Sequence, residues 1–172
     1  MRYFLTGLPG SGKSFWAKKL AEKYQLPFLD LDAHIEVKET KSITDIFKEK
    51  GEVYFRELES EALQEIIIEN EQLILACGGG TPCFHQNMER MNTAGTTIFL
   101  NTPPEWIAKN LMTHEEIEQR PLFAGLKSQD QVIAHLNHLL TGRIEYYKKA
   151  RYEVVPGAFE VTLNDFDKII VP

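Results

Sequence analysis

The stretch Gly7-Leu8-Pro9-Gly10-Ser11-Gly12-Lys13-Ser14 has the residue types and spacing of a phosphate-binding loop, G-x-x-x-x-G-K-[ST]. Glycines let successive backbone N–H groups point inward toward an anion, and a helix that begins directly behind them adds its positive end. The lysine can contact the β- and γ-phosphates, and the serine hydroxyl can bind Mg²⁺. The alternative is a plain turn, which the strand-like residues before the loop and the helical spacing after it disfavour. The loop therefore predicts binding of a nucleoside triphosphate.

Two carboxylates follow the second strand-like segment, in Phe28-Leu29-Asp30-Leu31-Asp32. Ligands of open α/β sheets bind at the carboxyl ends of the strands, so both carboxylates are expected at the cleft. A carboxylate there can orient an acceptor hydroxyl, accept its proton, or hold a water on Mg²⁺. We assign this function to Asp32. For Asp30 the choice between such a role and capping of the next helix stays open.

Arg56 and Glu59 are three residues apart on a predicted helix, so their side chains can touch. On an arbitrary helix such a pair is a solvated surface pair of small energetic value. This helix lies between the Asp32 segment and a glycine-ended strand, which favours a position beside the cleft. Arg56 could then bind a substrate carboxylate through two N–H groups, with Glu59 fixing its rotamer.

Three further features could contact a ligand. Gly78-Gly79-Gly80 ends an apolar strand and allows close approach to bare backbone, although a flexible turn is the alternative. Arg120 stands in a polar insert, where it could move over the phosphates as the insert closes. Arg143 lies near the end of a long helix and, taken alone, is typical of a cation favoured by the helix dipole.

Short apolar segments alternate with helical patterns along the chain, which indicates a parallel sheet covered on both faces. We predict one doubly wound α/β domain over residues 1–172, of the P-loop nucleotide-kinase type, with a mobile lid at about 110–126. The predicted strands are residues 3–6, 27–30, 73–77, 96–100 and 152–155. The predicted helices are residues 13–24, two short ones within 35–50, one over 53–70, one after Pro103-Pro104, and one over 129–149.

The composition limits the classes of protein to which the chain can belong. The chain has 172 residues, 43% of them apolar, a formal net charge of −6 and a pI near 5.4. An acidic chain has no general attraction for nucleic acids or membranes, and no apolar run approaches the length that crosses a bilayer. Two cysteines are too few for a disulfide framework. We expect a cytoplasmic protein, a monomer, without nucleic-acid or membrane partners.

The phosphate loop alone does not define a reaction. No guanine-reading N-K-x-D stretch occurs in the sequence, which argues against a GTPase, and motors or pumps usually need a longer chain. A small P-loop protein with a lid insert is most often a small-molecule kinase. A gluconate or nucleoside monophosphate kinase and a non-catalytic nucleotide-binding module remain the alternatives.

With these residues assembled, the chain resembles the shikimate kinase family over nearly its whole length. The resemblance is carried, in order, by the phosphate loop, Asp30-Leu31-Asp32 with Ile35-Glu36, Ser42-Ile43 with Asp45-Ile46-Phe47, Gly51-Glu52 with Phe55-Arg56 and Glu59, the triple glycine with Thr81-Pro82, Arg120-Pro121-Leu122, and Arg143 with Tyr147 and Ala150.

The resemblance implies ATP-dependent phosphorylation of the 3-hydroxyl of shikimate, a step toward chorismate and the aromatic amino acids. It implies that Asp32 binds the acceptor hydroxyls and acts as base, that Arg56 and Arg143 bind the shikimate carboxylate, and that the lid arginine Arg120 stabilises the transferring phosphoryl group. The implied acceptor site lies within about 32–62, with Gly78, Gly79 and Gly80 along the ring. The implied ATP contacts are Gly10, Ser11, Gly12, Lys13, Ser14, Phe15 and Arg120, and the Mg²⁺ contacts are Ser14 and, through water, Asp32.

Overall fold

The chain forms a parallel β-sheet flanked by helices in the computed structural model, which describes residues 1–113 and 121–170. Its strands are β1 (Arg2–Thr6), β2 (Phe28–Asp30), β3 (Leu73–Ala76), β4 (Thr96–Leu100) and β5 (Tyr152–Val154). Its helices are α1 (Lys13–Tyr24), α2 (Leu31–Glu39), α3 (Ile43–Glu69), α4 (Asn87–Ala94), α5 (Pro104–Thr113), α6 (Gln129–Tyr147) and α7 (Phe159–Asp167), with short 3₁₀ turns at Thr81–Cys83 and Pro121–Phe123.

The sheet has the order β2-β3-β1-β4-β5 with every neighbouring pair parallel, which confirms the predicted doubly wound, five-stranded α/β fold. β1 lies in the middle, with Leu5 opposite Ala76 of β3 and Thr6 opposite Phe99 of β4. Because β1 and β3 end side by side, the phosphate loop and the triple glycine emerge at the same edge. This edge is where open α/β sheets bind their ligands.

Side chains that alternate along the strands pack into two separate hydrophobic cores, one on each face of the sheet, as expected of a sheet covered on both faces. Phe4 and Leu75 pack on one face against α2, α3 and α4, while Leu5 and Ile74 pack on the other against α1 and α7. Phe99 belongs to a third cluster with α5 and α6. Both faces of the sheet are therefore buried, which explains why its strands are short and almost wholly apolar.

The predicted break between residues 50 and 53 is present, because Gly51 takes the non-helical angles φ 80° and ψ 174° and divides α3 into two helical parts joined by a kink. The observed helices differ from the predicted ones in two places. The sequence prediction missed α4, whose buried apolar residues are only Met88 and Met91. It also missed α7, a nine-residue helix. At eight and nine residues, both helices are shorter than the roughly 11–18 residues over which a helical period is recognised.

Within residues 1–113 and 121–170, no helix combines the length and the apolar character that crossing a bilayer would require.

Candidate active site

The phosphate loop follows β1 directly and is held in shape before any ligand binds. Gly10 and Gly12 have φ values of 78° and 90°, a region that residues with a side chain rarely adopt. The Ser11 N–H donates to the Leu8 carbonyl at 3.1 Å, and the Thr102 hydroxyl donates to the Ser11 carbonyl at 2.8 Å. The buried Ser11 hydroxyl has no hydrogen-bond partner among the residues that the structure describes. The loop thus presents a preformed anion cradle at the start of α1.

Lys13 and Ser14 open α1 at the floor of this cradle. The buried Lys13 ammonium donates to the loop's own carbonyls, Gly7 O at 3.1 Å and Leu8 O at 2.8 Å. The Ser14 hydroxyl donates to Oδ2 of Asp30 at 2.5 Å. The Lys13 ammonium and the Ser14 hydroxyl therefore lie together at the position where the motif predicted a triphosphate and its metal ion.

Asp30 caps the next helix, which is one of the two roles that the sequence left open, and it also contacts the phosphate loop. Its Oδ1 accepts the N–H groups of Asp32 at 3.1 Å and Ala33 at 3.3 Å, which caps α2. Its Oδ2 accepts the Ser14 hydroxyl, which connects β2 to the phosphate loop. Asp30 is thus a candidate site residue as well as a cap.

Asp32 is the second residue of α2, and its side chain is partly buried at the cleft. Burial is the largest cause that raises its pKa, and the negative charges of Glu59 and Asp30 add to it. Lys13 and Arg56 oppose this shift, and the pKa comes to about 6. A carboxyl group with this pKa is ionised at pH 7 and still has appreciable affinity for a proton, which suits a general base.

Arg56 is buried on α3 and held from several sides. Its Nη1 donates to Oε2 of Glu59 at 2.8 Å, and its Nη2 donates to Oε1 of Glu52 at 3.2 Å. The guanidinium carbon lies 4.6 Å from the ring centroid of Phe84 and 5.1 Å from that of Phe55. The predicted contact between Arg56 and Glu59 is present, and the pair is buried and not a solvated surface pair.

The triple glycine lies against the other site residues. A Cβ on Gly78 would fall 2.6 Å from Oε1 of Glu59 and 2.9 Å from Oδ1 of Asp32. On Gly80 it would fall 2.6 Å from Nη2 of Arg56, and on Gly79 it would fall 2.8 Å from Cδ of Pro9. This turn therefore packs against the phosphate loop and against the groups predicted to bind the acceptor, so the alternative of a merely flexible turn does not apply.

Arg143 approaches the site from α6. Its Nη1 is buried without a hydrogen-bond partner in the described ranges 1–113 and 121–170, although the side chain as a whole is partly exposed. It lines a hollow together with Phe84, whose ring also contacts Arg56. One turn later on α6, the buried Tyr147 hydroxyl donates to the Gly79 carbonyl at 2.6 Å. An anionic group placed there could accept a hydrogen bond from this N–H.

Two predicted ATP contacts remain. One is an exposed residue, and the other lies outside the described residues. Phe15, placed at the ATP by the sequence, is 52% exposed on the first turn of α1. Arg120 and residues 114–119 of the predicted lid lie outside the described residues.

Sequence reasoning gave several site neighbours no role. Thr81 donates to Glu59 at 2.5 Å, Thr102 donates to the phosphate loop, and Phe84 covers Arg56. Thr81 and Tyr147 were noted only as part of the resemblance, and Thr102 and Phe84 were missed. None of these residues carries a motif of its own, since each acts through a contact between segments distant in the chain.

Comparison with known proteins agrees with this geometry. A sequence model described as shikimate kinase matches residues 9–171. A shikimate kinase of Bacteroides fragilis is 40% identical over 152 residues, which is 88% of this chain and 83% of the relative. One of Azobacteroides pseudotrichonymphae is 39% identical over 171 residues, which is 99% of this chain and 98% of the relative.

Solved structures give the same result. The crystal structure of shikimate kinase from Bacteroides thetaiotaomicron superposes with a TM-score of 0.90 at 35% identity, over 98% of this chain and 97% of the other. Shikimate kinase from Acinetobacter baumannii in complex with shikimate superposes with a TM-score of 0.85 at 30% identity, over 98% and 92%. The chain therefore belongs to the shikimate kinase family, with its P-loop kinase fold.

Proposed function

We propose that this protein transfers the γ-phosphoryl group of ATP to the 3-hydroxyl of shikimate, giving shikimate 3-phosphate and ADP in the pathway to chorismate and the aromatic amino acids. The observation that carries the proposal is the position of a fixed arginine, Arg56, and a carboxylate of raised pKa, Asp32, at the sheet edge that bears the phosphate loop. Membership of the shikimate kinase family supplies the identity of the acceptor.

The acceptor end of the site suits a small hydroxylated carboxylic acid. Arg56 and Arg143 bind the carboxylate, and Asp32 orients the acceptor hydroxyl and takes its proton. Gly78, Gly79 and Gly80 let the ring approach the backbone. The Nη1 of Arg143, which has no hydrogen-bond partner among residues 1–113 and 121–170, supports this assignment, because a substrate carboxylate would satisfy it.

The nucleotide end uses Gly10, Ser11, Gly12, Lys13, Ser14 and Phe15, together with Arg120 of the lid. The cradle N–H groups and Lys13 bind the phosphates, and Arg120 stabilises charge on the transferring group when the lid, at about 110–126, closes. We propose that residues 1–172 form one P-loop kinase domain, in which the segment at about 32–62 binds the acceptor. Catalysis rests on positioning and on charge stabilisation, since the protein need form no covalent bond.

The proposed metal ion is Mg²⁺, and the residues present fit it. The Ser14 hydroxyl and the Asp30 carboxylate are in contact at 2.5 Å, and the negative charge of Asp30 is close enough to Asp32 to raise the pKa of its carboxyl group. Ser14 would bind the metal ion directly, and Asp32 would hold one of its waters. The described residues contain no group of three or more His, Cys, Asp and Glu side chains able to hold a metal alone. This agrees with a site in which ATP supplies further ligands, as is usual for Mg²⁺. Bound there, Mg²⁺ would neutralise charge on the β- and γ-phosphates.

Two alternative functions are weaker. A gluconate or nucleoside monophosphate kinase needs the phosphate loop, but has no need of Asp32, Arg56, the triple glycine and Arg143 together. A non-catalytic nucleotide-binding module would not need Asp32, Lys13 or Arg120. We further propose that the protein acts as a monomer in the cytoplasm, without nucleic-acid or membrane partners, in keeping with its net charge of −6.

The test is ADP release in a coupled assay with ATP and Mg²⁺, comparing shikimate, gluconate and nucleoside monophosphates as acceptors. Turnover with shikimate alone is the expected result. Turnover with another acceptor, or slow ATP hydrolysis only, would overturn the proposal.

A matched pair of arginine variants tests the acceptor end. Arg143→Ala should raise the KM for shikimate by at least roughly tenfold, as loss of a charged hydrogen bond implies, while the KM for ATP changes little. Arg151→Ala, which removes an exposed arginine bonded to the Asn92 carbonyl, is the control. An equal rise in the KM for shikimate and in the KM for ATP in Arg143→Ala would contradict the role of Arg143.

A further inference from the structure

Four buried polar residues form a closed ring of contacts beside the triple-glycine turn. The Thr81 hydroxyl donates to Oε1 of Glu59 at 2.5 Å, and the Thr81 carbonyl accepts Nδ2 of Asn87 at 3.1 Å. The Oδ1 of Asn87 accepts the Ser60 hydroxyl at 2.9 Å, and Ser60 directly follows Glu59 on α3. The ring therefore joins three parts of the fold, which are α3, the turn after β3 and the first residue of α4.

The ring is shut off from water. Three of its side chains are 0% exposed, and the fourth, that of Ser60, is 5% exposed. From outside the ring, Nη1 of Arg90 donates to the Ser60 hydroxyl at 2.8 Å, so this hydroxyl both donates and accepts. A buried polar group that loses its partner is costly, and each bond of the ring therefore restrains the two groups that it joins.

Asn87 closes the ring with a single amide group. The amide oxygen only accepts and the amide nitrogen only donates, so the bonds to Ser60 and to Thr81 fix the orientation of the side chain. Aspartate has nearly the same shape, but it has no N–H group and would place a carboxylate oxygen against the Thr81 carbonyl. Neither Asn87 nor Ser60 is among the residues assigned above to ATP or to the acceptor.

The ring is connected to Arg56 through Glu59. One carboxylate oxygen of Glu59 accepts Nη1 of Arg56, and the other accepts the Thr81 hydroxyl. A shift of Thr81 therefore displaces the carboxylate that holds the guanidinium of Arg56. We propose that Asn87 is a positioning residue for acceptor binding. It acts on Arg56 through the hydrogen bond between Thr81 and Glu59. The proposal rests on the proposed function and adds a residue that holds the acceptor site in shape.

The test compares two asparagines of the same helix. Asn92, also on α4, uses its amide in the same two ways as Asn87. Its Oδ1 accepts the Thr97 hydroxyl at 2.5 Å, and its Nδ2 donates to the Lys149 carbonyl at 2.9 Å. Asn92→Asp is therefore the matched control, because it makes the same chemical change at an amide that does not hold the triple-glycine turn.

Calorimetry of the full-length protein measures the dissociation constants for shikimate and for MgATP. Asn87→Asp should weaken shikimate binding roughly fivefold, since the loss of a buried hydrogen bond releases the turn that it held. The same variant should leave MgATP affinity within about twofold, and Asn92→Asp should leave both affinities within about twofold. Both variants should lower the Tm, so a loss of stability does not by itself produce the difference in shikimate affinity.

A double-mutant cycle tests the route through Thr81. Thr81→Val removes the hydroxyl that Glu59 accepts and keeps the branched shape of the side chain. This variant alone should weaken shikimate binding roughly fivefold. When Asn87→Asp is added to it, the further loss should be less than about twofold, because the connection to Arg56 is already cut.

A second measurement needs no substrate. The Nε–H resonance of Arg56, assigned by its absence in Arg56→Lys, reports the surroundings of the guanidinium. This resonance should move in Asn87→Asp and keep its parent position in Asn92→Asp. If Asn87→Asp does not fold, Ser60→Ala opens the same ring at its other bond and should weaken shikimate binding about threefold.

Several outcomes would overturn the inference. Unchanged shikimate affinity in Asn87→Asp, or equal weakening of shikimate and MgATP binding, would mean that Asn87 only stabilises the fold. A loss of shikimate affinity in Asn92→Asp as large as that in Asn87→Asp would make the effect non-specific. Independent losses in the double variant, or an unmoved Arg56 resonance, would exclude the proposed route. If the parent protein binds no shikimate, the proposed function fails, and the Arg56 resonance then decides the inference by itself.

Discussion

The carboxylate of Glu59 joins two segments of the site through its two oxygens. Oε2 accepts Nη1 of Arg56 at 2.8 Å within α3, and Oε1 accepts the Thr81 hydroxyl at 2.5 Å from the turn after β3. Glu59 is fully buried, so both bonds form away from bulk water. The rotamer of Arg56 is therefore tied to the position of the triple-glycine turn.

Glu59→Gln should consequently weaken acceptor binding. The substitution leaves Arg56 partly buried beside a neutral group, which we expect to cost about 2–3 kcal/mol of stability, somewhat below the cost of removing a buried partner outright. The KM for shikimate should rise roughly tenfold, with the KM for ATP within about twofold. Steady-state kinetics and thermal unfolding measure these effects.

Glu52→Gln is the matched control for this prediction. Glu52 also accepts from Arg56, but its side chain is 58% exposed, so its loss should cost under about 1 kcal/mol. Similar effects in the two variants would show that burial of the Glu59 pair has no special consequence for Arg56.

Gly80→Ala should displace the guanidinium of Arg56. The added methyl would lie 2.6–2.7 Å from Nη2, Cζ and Nη1, closer than such atoms can approach. Because Arg56 is held by Glu59 and by aromatic rings, it cannot move without losing contacts. We expect the KM for shikimate to rise at least roughly tenfold, through loss of a charged hydrogen bond, with a smaller effect on unfolding.

Gly157→Ala serves as the control for an added methyl, because a Cβ there meets no atom within 4 Å. It should leave the KM for shikimate unchanged. If Gly80→Ala behaves like Gly157→Ala, the close approach between Gly80 and Arg56 is not needed for acceptor binding.

The raised pKa of Asp32 predicts how activity depends on pH. The carboxyl group must be ionised to take the acceptor proton, and its pKa is about 6. The kcat/KM for shikimate should therefore rise as the pH increases through about 6 and level off above it. Asp32→Asn should lose turnover by roughly a hundredfold or more and should lack this inflection. Full turnover in Asp32→Asn would refute the catalytic role.

The same pKa predicts a pH dependence of folding stability. Between the ordinary pKa of 3.8 and the folded value of about 6, the folded state binds more protons than the unfolded state. The contribution of Asp32 to stability is thus present below pH 3.8 and is lost as the pH rises through about 6.

Asp32→Asn, which stays neutral, should therefore gain stability relative to the parent chain between pH 4 and pH 7. Two pKa units correspond to about 3 kcal/mol, and partial exposure should reduce the gain to about 1 kcal/mol. Denaturant unfolding at the two pH values measures it. A difference between the two proteins that does not change with pH would contradict the raised pKa.

Tyr147→Phe should loosen the contact between α6 and the triple glycine. It deletes the hydroxyl that donates to Gly79 O at 2.6 Å and leaves that carbonyl without this partner. A buried hydrogen bond of this kind contributes about 1 kcal/mol, which corresponds to a fall in Tm of about 2–4 °C. Because Arg143 is one turn away on the same helix, the KM for shikimate should rise about threefold.

Tyr146→Phe removes a hydroxyl from the neighbouring, 37% exposed tyrosine and should change neither quantity. Equal results for the two tyrosines would mean that the Tyr147 hydroxyl does not position the turn.

Much of the fold could be predicted because its signals are local. Apolar runs such as Leu73–Ala76, which is followed by the triple glycine, indicate buried parallel strands, and the loop before Lys13 identifies the first strand–helix unit. The short helices α4 and α7 were missed because they have only eight and nine residues, and the helical state of such short segments depends on packing against the rest of the chain.

The sequence by itself determined the phosphate loop, the five strands and the acidic charge, because these depend on residue type and short-range spacing. It also singled out Asp32 and Arg56 as candidate site residues, and Arg143 through the family resemblance. Only the tertiary structure decided that Asp30 contacts Ser14, that Gly80 lies against Arg56, and that Tyr147 reaches Gly79 across 68 residues of chain. Such contacts follow from the order of strands in the sheet and from how the helices dock on it, and no local pattern encodes either.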